Sequence, residues 1–274
     1  MPRHRTSART ARRPPPPGRD RHGPAGAPID LTAYQALLFD LDGVITRTAT
    51  IHATAWKRLF DTFLARRAHV LGIAFEPFEI ATDYLRSVDG RRRYDGVQAF
   101  LHSRGIDLPP GTPQDPPGED TVCALGNAKN RYFAEELQRH GVELFDDTVA
   151  LIRAARAHGA KTAVVSASEN CRDILERAGL RELFDAEVTG IEAARLGLDG
   201  KPAPDTFLYA AKLLGVAPRD AVVLEDAVSG VQAGRAGGFG LVIGVDRQHS
   251  SDALIANGAD LACPDLRQLL PERP

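Results

Sequence analysis

The stretch ALLFDLDGVITRT, residues 36–48, is an apolar run that ends in two aspartates one residue apart. If Ala36 to Phe39 form a buried strand, side-chain alternation puts Asp40 and Asp42 on one side and Leu41 on the other. Like charges a few ångströms apart repel strongly unless a cation lies between them or one carboxylate keeps its proton. Either arrangement is chemically useful. Three more polar clusters stand at or after apolar runs: Ser166 closes TAVVS, Lys201 lies in GKPAPD, and Glu225 and Asp226 close AVVLED. Singly, each has an ordinary explanation as a helix cap, a solvated lysine or an acidic pair at a helix start. Together, at successive strand ends, they converge on one pocket.

The elements that must position them follow from the apolar pattern. Strands at 162–166, 186–189, 221–225 and 241–245 alternate with helices at 147–158, 170–178, 204–214 and 228–236, which implies an α/β fold with a parallel sheet and crossover helices. Ligands of such sheets bind beyond the carboxyl ends of the strands. The first strand, 36–40, has no other sheet to join, so a helical insert should interrupt the α/β core just after it. In that insert Trp56, Leu59, Phe60, Phe63 and Leu64 recur at helical spacing. Further helices are expected at 77–87, 94–104 and 121–140, broken by LPPGTPQDPPGED at 108–120. The expected division is a tail at 1–28, a core of 29–48 and 144–274, and a helical cap at 49–143.

Bulk properties exclude several classes. A chain of 274 residues, 43% hydrophobic, is long enough for a full core and a second small domain. Its net charge of −2 gives no reason to expect nucleic acid or an anionic membrane as partner. No run of about 18 apolar residues is present, so no helix should span a bilayer. Cys123, Cys171 and Cys263 lie far apart without a C-x-x-C pair and read as reduced, structural thiols. Residues 1–28 are too poor in large apolar side chains to repay their ordering entropy. The pair Arg12–Arg13 is followed by PPPPG rather than by the apolar segment of an export signal, so a cytoplasmic protein is expected. The Gly-rich stretch at 230–240 lacks G-x-G-x-x-G spacing and reads as close helix packing and a turn.

The four clusters, in this order, strongly resemble the motifs of the haloacid dehalogenase superfamily of aspartate-nucleophile phosphotransferases. DLDGV is similar to its first motif, VVSAS to its second, the lysine of GKPAPD to its third and LEDAVSG to its fourth. The likeness covers residues 35 to about 265 and implies a Rossmann-like core with a helical cap inserted after the first strand. It implies that Asp40 is the nucleophile that forms an aspartyl-phosphate and Asp42 the general acid/base. It further implies that Ser166, Ala167 and Lys201 hold the phosphoryl oxygens. Mg²⁺ would be bound by a carboxylate oxygen of Asp40, the backbone carbonyl of Asp42 and Asp226, with Glu225 nearby. A metal so placed answers the repulsion that the paired aspartates raise.

Within the superfamily, DGVITRTATIHATAWK is similar to the β-phosphoglucomutase-like subfamily. That likeness implies interconversion of β-glucose 1-phosphate and glucose 6-phosphate through glucose 1,6-bisphosphate, by a monomer acting on small phosphosugars. It carries over Thr48, His52, Trp56, Arg93 and Lys129 as cap-side positions and Ser168 and Asn170 as core-side contacts. Arg93, in RRRYDG, would grip the non-transferring phosphate, with Arg91 and Arg92 as alternatives. Plainer readings stand beside these: Trp56 as a core aromatic, His52 as its packing neighbour, and Arg93 as part of a solvated basic run satisfied by Asp89 or Asp95. Arg47 stands where the family usually has aspartate, and should alter the hinge contacts or add a cation for a phosphate. A phosphatase of the same superfamily is the alternative, because it shares every core residue. A receiver-like signalling module lacks the long helical insert, and dehalogenation needs neither Asp42 nor the metal pair.

Overall fold

Four consecutive fully buried residues, Ala36–Phe39, form strand β1 near the centre of a sheet in which every pairing is parallel. The structure, a computed structural model, describes residues 30–270, so the tail expected at 1–28 lies outside the described residues. The other strands are β2 (Lys161–Val165), β3 (Ala186–Val188), β4 (Ala221–Glu225), β5 (Leu241–Val245) and β6 (Leu261–Cys263), in the order β3-β2-β1-β4-β5-β6. Alternation along the strands sorts their side chains onto two faces. Leu37, Phe39, Val164, Val222 and Leu224 join one apolar cluster, and Ala36, Leu38, Ala163, Val165, Ala221 and Val223 join the other. Both faces are covered by helices, which is why these strands read as unbroken apolar runs.

Helices α5 (Asp146–Ala157), α6 (Cys171–Arg177), α7 (Gly190–Leu196), α8 (Asp205–Leu214), α9 (Val228–Ala236) and α10 (Ser251–Ala256) follow the strands. Between β1 and β2 the chain first makes α1 (Thr48–Leu71), α2 (Leu85–Ser87), α3 (Arg93–Ser103) and α4 (Val122–His140). These bury their own apolar cluster, centred on Phe60, whose ring lies 5.1 Å from Phe78 and 4.0 Å from Phe100.

Four elements differ from expectation. The stretch 77–87 is a single π-turn, Ile80–Tyr84, leading into α2, rather than one continuous helix. Pro77 has no amide to donate, and side chains take the next two amides: Phe78 N–H donates to Asp61 and Glu79 N–H to Asp83. The helical ladder therefore starts late. The short elements α7 and α10 and the three-residue strand β6 carry too few apolar residues to show a period. Helix α7 is instead set by a capping box, in which Thr189 accepts from the Glu192 amide and Glu192 accepts from the Thr189 amide. All three cysteines are free and buried, as read. Gly234, from the Gly-rich stretch, packs α9 against the sheet, where a Cβ would press on Val242 and Val223.

Candidate active site

The carboxyl end of β1 holds the first two acids, and its parallel pairing with β2 and β4 brings the other clusters beside them. Asp40 follows β1 directly, its amide donating to the Leu224 carbonyl. The turn after it depends on Gly43, whose φ of +95° favours glycine. A Cβ there would also collide with the Asp226 carboxylate, so the glycine lets the β1 turn approach the end of β4. Gly230 does the same for Glu225 from the first turn of α9.

Lys201 is buried between two of these acids, with Nζ 2.5 Å from Asp40 Oδ1 and 2.5 Å from Glu225 Oε1; it also donates to the Val165 carbonyl at 3.2 Å. Glu225 Oε2 accepts the Ala227 amide, so both oxygens of Glu225 are engaged. Burial pushes the Lys201 ammonium down, but the two carboxylates outweigh it and hold the charge on the amine. Burial pushes the carboxyl of Asp40 well above the usual range against the pull of Lys201, with Glu225 and Asp42 adding to the rise. Asp226 is pushed the same way by burial, Asp89, Glu225 and Asp40.

Carboxylate oxygens of Asp40, Glu225 and Asp226 lie within 4.8 Å of one another. Hard oxygen donors carrying surplus buried negative charge suit a small divalent cation. Because Glu225 is occupied by Lys201 and Ala227, Asp40 and Asp226 are the acids with oxygens to spare. The Asp42 carbonyl accepts no hydrogen bond among the described residues, leaving it available as a third donor.

Asp42 points elsewhere. Its Oδ1 accepts a short hydrogen bond from Thr48 and lies 3.3 Å from His52 Nε2, which is not aligned to donate to it. Burial pushes the Asp42 carboxyl up, yet His52, Thr48 and Lys129 outweigh it and hold it below the usual value. His52 Nδ1 meets Lys129 Nζ at 2.5 Å. Burial lowers Lys129 to about 7 although Asp42 draws it up. The chain Thr48–Asp42–His52–Lys129 thus joins the start of α1 and the middle of α4 to the sheet.

A cleft of about 650 Å³, open mouth included, lies over these groups. On its wall are Asp40, Asp42, Asp226, Ala167, Ser168 and Asn170 from the sheet side, and His52, Trp56, Arg93 and Lys129 from the insert. Thr48, Ser166 and Lys201 sit behind that wall and bond to it, and Glu225 is tied to it through Lys201. Ser166 is buried, its Oγ accepting the Ser168 amide at 3.0 Å. Trp56 fits both readings offered for it, since it stacks on Phe60 at 5.3 Å and still faces the cleft. His52 likewise packs on Phe133, with ring centroids 4.1 Å apart.

Two readings need correction. Arg93 is not satisfied by Asp89 or Asp95: Asp95 pairs with Arg92, and Arg93 reaches across to Glu169 at 2.9 Å. Arg47 does not reach the cleft. It lies over the Phe145 ring, with Glu143 3.9 Å away, where the two strands of chain entering and leaving the insert meet. Arg247 lies over the same Phe145 ring at 4.0 Å, so an aromatic ring accommodates the charge at position 47.

Sequence reasoning missed Tyr84, Val88, Gly90 and Glu169 on the cleft wall, and Asp89 had entered only as a partner for Arg93. Burial and Glu225 raise Asp89 to about 7. Contiguity was the one available signal: these residues lie within a few positions of RRRYDG or of S-A-S-E-N.

The haloacid dehalogenase-like hydrolase family matches residues 34–238. The β-phosphoglucomutase of Mycobacterium bovis is 47% identical over 239 residues, covering 86% of this chain and 91% of that protein. The fructose-1-phosphate phosphatase YqaB of Escherichia coli is 31% identical over 213 residues, covering 76% and 95%. Among solved structures, the β-phosphoglucomutase of Clostridium difficile superposes with a TM-score of 0.65 at 25% identity, covering 86% of this chain and 93% of that one.

Proposed function

Because the chain belongs to the haloacid dehalogenase-like hydrolase family, we propose that it is a phosphomutase that interconverts β-glucose 1-phosphate and glucose 6-phosphate, with residues 49–143 acting as a cap over the α/β core. The observation that carries this reading is the second cationic cluster: Arg91, Arg93 and Lys129 line the insert's wall of the same cleft whose floor holds Asp40. A phosphatase needs cations only where phosphate is cleaved, whereas a bisphosphate must be held at both ends. The high identity to a β-phosphoglucomutase supports the same choice.

In this reading Asp42, its carboxyl held below the usual value, removes the proton of the C6 hydroxyl of β-glucose 1-phosphate as that oxygen attacks the aspartyl-phosphate, which releases Asp40 and forms glucose 1,6-bisphosphate. With the bisphosphate turned round, an Asp40 oxygen attacks the C1 phosphorus in line, the bond to the C1 oxygen breaks, and that oxygen takes the proton now on Asp42, leaving glucose 6-phosphate and the aspartyl-phosphate. Lys201 and the Ser166–Ala167 turn hold the transferring oxygens, while Thr48 and His52 orient Asp42. Asp40, Asp226 and the Asp42 carbonyl would hold Mg²⁺, which neutralises phosphoryl charge when bound. Trp56, Ser168 and Asn170 face the sugar.

The decisive measurement is incubation with β-glucose 1-phosphate, Mg²⁺ and a trace of glucose 1,6-bisphosphate. Glucose 6-phosphate should accumulate with little free phosphate; stoichiometric phosphate release would make the protein a phosphatase. Arg93→Ala should lower this conversion by about one to two orders of magnitude, the value of one or two charged hydrogen bonds. Hydrolysis of a small phosphate ester, which has no distal phosphate, should hardly change. Equal loss on both would make Arg93 structural. Gly43→Ala should weaken Mg²⁺ binding about 10- to 100-fold by calorimetry, as a displaced supporting residue does, since its Cβ would displace Asp226.

A further inference from the structure

Arg93 is the cation expected to receive the distal phosphate, yet in this structure it already holds an anion. Its Nη2 donates to Glu169 Oε1 and to Tyr94 OH, both at 2.9 Å. Its Nε is buried with no acceptor among the described residues, and only 14% of the side chain is exposed against 39% of Glu169. One edge of the guanidinium is thus half used. Two oxygens of a tetrahedral phosphate dianion could take Nε and Nη2 together, whereas the carboxylate in place takes Nη2 alone.

Glu169 is held at this spot by its backbone. It sits in the loop after β2, where Ser168 N–H donates to Ser166 Oγ, Asn170 N–H donates to Ser168 Oγ at 3.1 Å, and Gly190 N–H donates to the Ser168 carbonyl. Gly190 is required for this approach, because a Cβ there would collide with the Ala167 carbonyl and lie 3.1 Å from the Glu169 amide nitrogen. Beside it, Asn170 Nδ2 donates to Asn130 Oδ1 of α4 at 2.9 Å. The loop that supplies the proximal phosphate turn therefore also reaches across to the insert.

We propose that Glu169 is a specificity-determining residue that stands in for the distal phosphate, pairing with Arg93 until a ligand brings a second anion able to displace it. A ligand with one anionic group, seated at Asp40, leaves the pair intact. A neutral hydroxyl at the far end cannot break it, because that would leave a buried guanidinium without its charge partner. A phosphate gains the bidentate edge, and the displaced carboxylate, already partly exposed, turns to solvent. The competition lowers affinity for every distal phosphate, so only a ligand whose second anion outcompetes the carboxylate engages Arg93, and a ligand with no distal anion binds as if the pair were absent. This assignment rests on the reading of Arg93 as the distal grip.

The test is a binding cycle by calorimetry in Mg²⁺, with glucose 1,6-bisphosphate and inorganic phosphate as probes. Glu169→Gln should tighten the bisphosphate about two- to tenfold, the value of one partly exposed charged contact. Inorganic phosphate should change less than about twofold on the same scale. In an Arg93→Ala background, Glu169→Gln should lose its effect, because there is no pair left to break. Glu169→Ala repeats the measurement should the amide make a new contact, and melting curves check folding. Unchanged or weaker bisphosphate binding overturns the proposal, as does an equal gain for inorganic phosphate or a gain that persists without Arg93. Wild-type enzyme that fails to make glucose 6-phosphate, with the Arg93-dependent gain intact, would remove the mutase reading and leave Glu169 in place. Conversion with no gain would remove Glu169 alone.

Discussion

Asp40→Asn should abolish turnover, with a loss on the order of 10⁴-fold or more, as removal of a covalent nucleophile does in enzymes of this kind. The amide keeps the shape of the carboxylate but cannot displace a sugar oxygen from phosphorus. Folding should survive, because Lys201 keeps Glu225 at 2.5 Å and the Val165 carbonyl at 3.2 Å when Asp40 loses its charge. Loss of activity is then a loss of chemistry, which melting curves can verify. Wild-type enzyme mixed with labelled glucose 1,6-bisphosphate and quenched in acid should carry a phosphoryl group that hydroxylamine removes, and Asp40→Asn should carry none. Turnover of more than a few per cent in the variant would exclude the aspartyl-phosphate route.

How much of this was legible before the fold was known depends on where each residue's neighbours come from. Asp40, Ser166, Lys201 and Glu225–Asp226 stand at strand ends whose apolar runs are strong and short, so strand alternation and the parallel-sheet rule place them together without coordinates. The insert offers no such rule. Its helices are set by packing around Phe60, and the register that turns Arg93, rather than Arg92, into the cleft cannot be read from RRRYDG. Arg92 instead takes Asp95 and the Leu198 carbonyl. The pairing of Arg93 with Glu169, 76 positions away, joins the first residue of α3 to the loop after β2, a contact that no local pattern encodes. Asp42 was legible as a second carboxylate, but its distinct environment was not, since Thr48, His52 and Lys129 reach it only when α1 and α4 pack together.

That separation of environments predicts how the second aspartate should fail. Asp42→Asn removes a proton carrier and little else: the amide oxygen can still accept from Thr48, the side chain takes no part in the Asp40–Glu225–Asp226 cluster, and the proposed cation contact at this position is the backbone carbonyl. Transfer between sugar hydroxyls should fall by about 10²- to 10⁴-fold, the usual contribution of a positioned general acid/base. Mg²⁺ affinity should stay close to wild type, whereas Asp226→Ala, which removes an acid with free oxygens, should lose it. The substrate can separate the two steps further. A phosphate ester with a good leaving group, such as p-nitrophenyl phosphate, expels its oxygen without being protonated, so its first turnover should survive in Asp42→Asn while a sugar phosphate's does not. Later turnovers should stall on both, because no base remains to activate the incoming oxygen. A variant that lost Mg²⁺ as badly as Asp226→Ala, or that slowed both esters equally in the first turnover, would place Asp42 in the metal site instead. Its hydrogen bond from Thr48 and its nearness to His52 would then be supports for a ligand rather than for a proton carrier.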